Sequence, residues 1–170
     1  ANEVLAADLR LESTRPIGPR YVDEARQRGL QVVESTGLLS VVFQGDESQL
    51  SNLRAVTAGY PLRGQVMLAD TAFGQSSPAA DIPAPGEAWP ESKLLAAIGA
   101  EVGSELAIGA ARFKVTRVLI TRPDQGATFA DLAPSILINA ADLPATQLIQ
   151  PGSRVSYAML FAGAPTAVQS

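Results

Sequence analysis

Cysteine and histidine are both absent from this sequence. Without cysteine there is no disulfide framework, no thiolate nucleophile and no cysteine zinc site. Without histidine the most used general base and the commonest metal ligand are missing. Freedom from stray thiols suits a periplasmic setting. Lysine is scarce too: Lys93 and Lys114 are the only two among 13 basic residues, and the arginines do not cluster. With a net charge of −4 the chain offers no basic face to neutralise phosphates, so nucleic acid is a poor partner. No apolar run reaches the ~18 residues that a bilayer-spanning helix needs. No secretory leader is legible. The first residues, Ala1-Asn2-Glu3-Val4-Leu5-Ala6-Ala7, begin without Met and read as the interior of a longer protein, the tail of a helix entering from upstream.

What is present suffices for a core. Hydrophobic residues make up 46% and charged residues 18% of 170, the size of one domain with room for a second small lobe. Asp8 to Ser13 alternates as a half-buried strand. Pro19 to Arg28 reads as a short amphipathic helix, with Tyr21, Val22 and Ala25 on one face and Gly29 as its stop. Leu30 to Gln44 is β-rich. Gly45-Asp46-Glu47-Ser48 turns, and Leu50 to Ala58 returns as a strand. Val66 to Ala69 is a short strand, and Asp70 to Gly86 is a long Pro- and Ser-rich loop. Trp89-Pro90 is read as opening a helix, Glu91 to Ile98, stopped by Gly99. Leu106 and Ile108 mark a strand, Gly109-Ala110 a turn, and Phe113, Val115 and Val118 the strand that follows. Ser135 to Ile138 is a further strand. Asn139 is placed to cap a short helix to Leu148, limited by Pro144. Gly152 to Phe161 is the last strand. The pattern predicts an α+β fold whose middle, about residues 64–151, is a small β-rich barrel.

Catalytic motifs are missing. There is no Gly-x-Ser-x-Gly elbow, P-loop or Gly-x-Gly-x-x-Gly turn, and Gly99, Gly103 and Gly109 are spaced for turns. Ser92 and Lys93 are neighbours on a helix, ~100° apart, and cannot share a proton. Asp81, Glu87 and Glu91 match no calcium loop, and Glu101 with Glu105 reads as surface charge. No catalytic residue, metal or cofactor is expected, and no enzymatic role. Four residues are candidates for contact with a partner or substrate: Tyr60, Arg63, Phe73 and Trp89. Each also has a structural reading, Trp89 above all as core.

Two stretches together resemble a known family. One is Gly59-Tyr60-Pro61-Leu62-Arg63-Gly64. The other runs from Leu94-Leu95-Ala96-Ala97-Ile98-Gly99-Ala100-Glu101-Val102-Gly103 through Leu106-Ala107-Ile108-Gly109 to Phe113-Lys114-Val115-Thr116-Arg117-Val118-Leu119. They resemble the periplasmic core domain of MacB/FtsX-type ABC transporter permeases. The Tyr-Pro-Leu-Arg-Gly run and the opening Leu5-Ala6-Ala7-Asp8-Leu9 are similar to the YbbP-like branch. The resemblance implies a porter-like strand-helix-strand lobe, residues 1–63 plus 152–170, with an inserted β-rich lobe, 64–151. The family usually continues with more helix where this sequence stops, so the first lobe is expected to be truncated there. It implies a place on the periplasmic side of the bacterial inner membrane, tethered through the full-length protein. It also implies partnership with a second permease subunit and a cytoplasmic ATPase, and mechanotransmission of ATP-driven movement to an apolar or lipid-like substrate. A periplasmic esterase or thioesterase is a further implied partner. The competing readings are a free-standing periplasmic lipid- or ligand-binding module and a small-ester hydrolase, against which the missing His, Cys and nucleophile motif weigh.

Overall fold

A computed structural model describes residues 9–14, 23–24, 27, 29, 31–60, 66–71, 74–79, 81–121, 133–149 and 155–162. The expected helical lead-in Ala1–Ala7, the run 61–65 and the tail 163–170 lie outside these. Of the helix expected over Pro19–Arg28, Asp23, Glu24 and Gln27 are described and helical, and Gly29 follows with φ 76°.

The centre of the fold is the expected hairpin. Strand β2, Gln31–Gln44, and strand β3, Glu47–Val56, pair antiparallel from Ser35↔Val56 to Gln44↔Glu47 around the two-residue turn Gly45-Asp46. Gly45 takes φ 60°, which the tight reversal needs and a Cβ would resist. The other edge of β2 is shared by two partners. Residues 31–37 pair with β11, Ser156–Ala162, while Val42 and Phe43 pair with β7, Glu105–Ile108. Beyond β11 lies β1, Leu9–Ser13, antiparallel along all of its residues.

From β3 the sheet continues to β10, Ser135–Asn139, in parallel, then to β6, Glu87–Pro90, β8, Ala111–Val115, and back to β7. Because β7 also pairs with β2, the path β2-β3-β10-β6-β8-β7 closes on itself. Closure gives most of these strands a partner on each side. The barrel draws β2 and β3 from before residue 64. A smaller three-stranded sheet, β5-β4-β9 (Ser77–Pro78, Met67–Ala69, Val118–Thr121), lies on its outside. Pro78 is tolerated because β5 is an edge strand.

Two elements differ from those the sequence predicts. Residues 87–90 are strand, and the helix α1 begins at Ser92, running to Ile98. Ala88 faces one core and Trp89 the other, an alternation that pairing with β10 and β8 imposes. Val118 is not the end of β8. It opens β9 in the second sheet after a break at Thr116-Arg117.

Two cores result. The barrel interior holds Leu53, Ile108, Phe113, Ile136 and Ile138, closed by Leu94, Leu95 and Ile98 of α1. A seven-residue helix does not persist alone. α1 is kept by its buried face, each fully buried Leu or Ile contributing roughly 1.5–3 kcal/mol, and it ends at Gly99, φ 66°, as expected. The second core lies between the sheets: Val33, Val56, Leu137 and Leu160 meet Leu68 and Leu119. β10 is therefore buried on both faces, and its Ile-Leu-Ile run shows no alternation in sequence. The cap expected at Asn139 is present: its side chain accepts from the Ala141 N–H at 2.9 Å and donates to the Pro83 carbonyl at 3.0 Å. The helix after it splits into a 3-10 turn, Ala140–Asp142, and α2, Leu143–Thr146, stopping short of Leu148.

Candidate functional site

Of the four contact candidates, Tyr60 and Trp89 are described, and both belong to the core between the sheets, 4% and 6% exposed. The Trp89 indole N–H donates to Thr116 Oγ1 at 3.1 Å, and the Thr116 hydroxyl reaches Glu87 Oε1 at 3.4 Å. Arg63 and Phe73 lie outside the described residues, so the four are not brought together here. The acidic residues considered as calcium ligands or as an acid/base pair are dispersed among structural tasks. Asp81 accepts from the Ile82 N–H, Glu91 from the Ser135 N–H, and Glu105 pairs with Arg112 at 2.8 Å. Among the described residues no three acidic side chains gather where a metal could sit.

Two features have contact chemistry. The first is on the outer face of the hairpin. Alternation turns Leu38 and Val42 into the barrel, and turns Leu39, Val41 and Phe43 outward. The β2–β3 register sets Leu50 directly opposite Val41. All four outward side chains are 39–48% exposed. Nearer the base of the same face, Val33 and Val56 are covered by the small sheet. The stripe is the part of this face that the small sheet leaves open, a contiguous patch that core packing does not explain. Its signal was present in the sequence, as apolar residues at both parities of 38–43, but a strand in a closed barrel normally shows water one polar face.

The second feature is a groove of about 460 Å3 at the foot of the barrel. One wall is the sheet, where Glu34 lies opposite Met159 and Thr36 opposite Tyr157. The other wall is the segment after β10, with Leu143, Pro144, Gln147 and Ile149. That wall is fixed from outside. The Thr146 carbonyl accepts from the Ala110 N–H at 2.8 Å, and Asp142 Oδ2 accepts from the Gly86 N–H at 2.8 Å. Gln147, at φ 57°, is the one non-glycine residue with positive φ among those described. No sequence signal marked it, since glutamine is not a residue that favours this conformation.

No family model matches the chain. It is 31% identical over 163 residues to the uncharacterised ABC transporter permease YbbP of Escherichia coli (strain K12). That match covers 96% of this chain and 19% of the relative, so the chain spans about a fifth of the relative's length. Among solved structures, it is similar to the extracellular domain of the noncanonic ABC-type transporter YknZ from Gram-positive bacteria. There the TM-score is 0.57 and the identity 12%, over 86% of this chain and 75% of that one. It is also similar to the periplasmic region of MacB from Actinobacillus actinomycetemcomitans, with TM-score 0.54 and 15% identity over 98% and 82%. At such identities the likeness is one of fold, and it is the fold just described: sheet-rich, mixed with short helices, closed into a barrel. Sequence match and shared fold agree: nearly the whole chain matches one part of a YbbP-type ABC transporter permease in sequence, and its fold is that of the extracytoplasmic domains of MacB and YknZ.

Proposed function

We propose that the domain couples ATP-driven movement of a membrane-embedded permease to the handling of an apolar substrate or partner on the periplasmic side of the inner membrane, without catalysing a reaction. The observation that carries this reading is the attachment of β1. All five of its residues pair with β11, which pairs with β2 over seven residues, so a displacement delivered at Leu9 passes into the sheet by backbone hydrogen bonds. A second permease subunit and a cytoplasmic ATPase are the partners this role requires in the full-length protein, and a periplasmic esterase or thioesterase is a further candidate. The division into a porter-like lobe, 1–63 plus 152–170, and an inserted lobe, 64–151, belongs to the same proposal. The outward stripe Leu39, Val41, Phe43 and Leu50 is the contact surface for apolar cargo. Arg63 and Phe73 remain candidates for direct contact, while Tyr60 and Trp89, being buried, act by supporting the sheets.

The test is a flexible Gly-Gly-Ser-Gly insert between Ala7 and Asp8 of the full-length transporter. Such an insert lets a stalk move while the domain lags. ATP turnover should persist and transport should stop. The same insert between Gln75 and Ser76, both exposed, serves as the control and should leave both intact. Transport that survives the insert at Ala7 removes the mechanical reading and leaves a passive docking surface.

A further inference from the structure

The groove between the β2–β11 face and residues 140–149 is separate from the apolar stripe and has a different chemistry. Its volume, about 460 Å3, lies within the range of small-ligand sites. A single formal charge lines it, the Glu34 carboxylate, and no lysine or arginine does so among the described residues. The strand at Glu34 is held by its backbone, whose N–H donates to Thr57 Oγ1 at 2.9 Å. The carboxylate itself makes no hydrogen bond or ion pair among the described residues. Two residues along β2, the Thr36 hydroxyl sits opposite Tyr157 of β11, and neither hydroxyl has a partner among the described residues. Leu143 and Ile149 face them with hydrocarbon, and Ile149 is left 40% exposed.

We infer that this groove binds a small amphipathic cation, a primary ammonium group on an aliphatic body, with the ammonium on Glu34 and the hydrocarbon over Leu143 and Ile149. A carboxylate beside apolar walls repels an anion, and an uncharged alkyl ligand leaves it without a counter-charge. An alkylammonium satisfies both surfaces at once, and its three N–H donors can reach Glu34 and the Thr36 hydroxyl together. The far wall needs no ordering on binding. The Ala110 N–H holds it at the Thr146 carbonyl, and the Gly86 N–H holds it at Asp142. A site already shaped loses less on binding than one that must be assembled.

The inference is tested by titrating the isotope-labelled 170-residue chain at neutral pH with n-hexylammonium, 1-hexanol and hexanoate, following backbone amide shifts by NMR. Hexylammonium should give saturable shifts at 34–36, 143–149 and 157–159. It should bind about two- to fivefold more tightly than hexanol, the ratio expected for one exposed ion pair, with hexanoate weakest. Glu34→Gln should bring hexylammonium down to the level of hexanol and leave hexanol unchanged. Ile149→Lys, which places a rival cation at the rim, should weaken hexylammonium by at least as much. Both sites are exposed, and Trp89 fluorescence confirms that each variant is folded. Hexanoate binding as tightly as hexylammonium, indifference to Glu34→Gln, or shifts centred on Leu39–Phe43 would each overturn the assignment.

Discussion

Gly109 is where the structure makes its sharpest demand on one residue. It sits in the β7–β8 turn with φ 56°, and the backbone of α2 lies against it. A Cβ built there runs into the Thr146 carbonyl oxygen and comes within 3.0 Å of Leu148 Cγ and Cδ2. Backbone cannot rotate aside as a long side chain can. Gly109→Ala should therefore act three ways. Left-handed backbone costs alanine about 1 kcal/mol. Pushing Thr146 away loses the Ala110–Thr146 hydrogen bond, a net loss of about 1 kcal/mol. Displacing Leu148 from the barrel core adds the overpacking penalty, roughly 1–3 kcal/mol. The sum is about 3–5 kcal/mol. Gly99→Ala is the control: its φ is 66°, yet nothing lies within 4 Å of the added carbon, so about 1 kcal/mol is expected. Urea unfolding read by the fluorescence of Trp89, the only tryptophan and a buried one, measures both. If the two variants lose the same stability, the contact with α2 is absent in solution and the outer wall of the groove is not held as described.

Phe113→Ala removes a fully buried ring from the barrel interior and should lower stability by about 3–5 kcal/mol, seen as a lower urea midpoint at an unchanged slope. Asn139→Ala deletes both the cap on Ala141 and the tie to Pro83, and a loss of about 1–2 kcal/mol is expected in the same assay. Thr116→Val takes away the acceptor of the Trp89 indole. It should destabilise by about 1–3 kcal/mol and shift the native emission of Trp89 before unfolding begins. Leu39→Ser combined with Phe43→Ser should change stability by less than about 1 kcal/mol, since both side chains are exposed. In the full-length transporter it should abolish transport while ATP turnover continues. Undiminished transport would remove the stripe as a contact surface.

Local chemistry was legible from the residues alone. The Gly45-Asp46 reversal, the Gly99 stop after Ile98 and the Asn139 cap each depend on interactions within a few positions of chain, so the residues that specify them lie side by side in the sequence. The absence of histidine and cysteine excluded whole classes of chemistry by itself. Tertiary structure decided the remainder, because its causes are distant in sequence. Trp89-Pro90 has the look of a helix start, and only its pairing to Leu137 and Ile136, continuing the strand that Glu87 and Ala88 form against β8, makes it strand. The closure of β7 onto β2 at Val42 and Phe43 joins residues more than sixty positions apart, and no periodicity announces which strand will accept that edge. Closure also separates the two apolar parities of 38–43 into a buried side and an exposed stripe. The groove follows the same rule: Glu34, Ile149 and Tyr157 are unrelated in sequence, and become neighbours only because β11 pairs with β2 while the segment after β10 is pinned beside them. A hydrogen bond between strands is indifferent to their separation along the chain, which is why alternation can foretell a strand but not its neighbour.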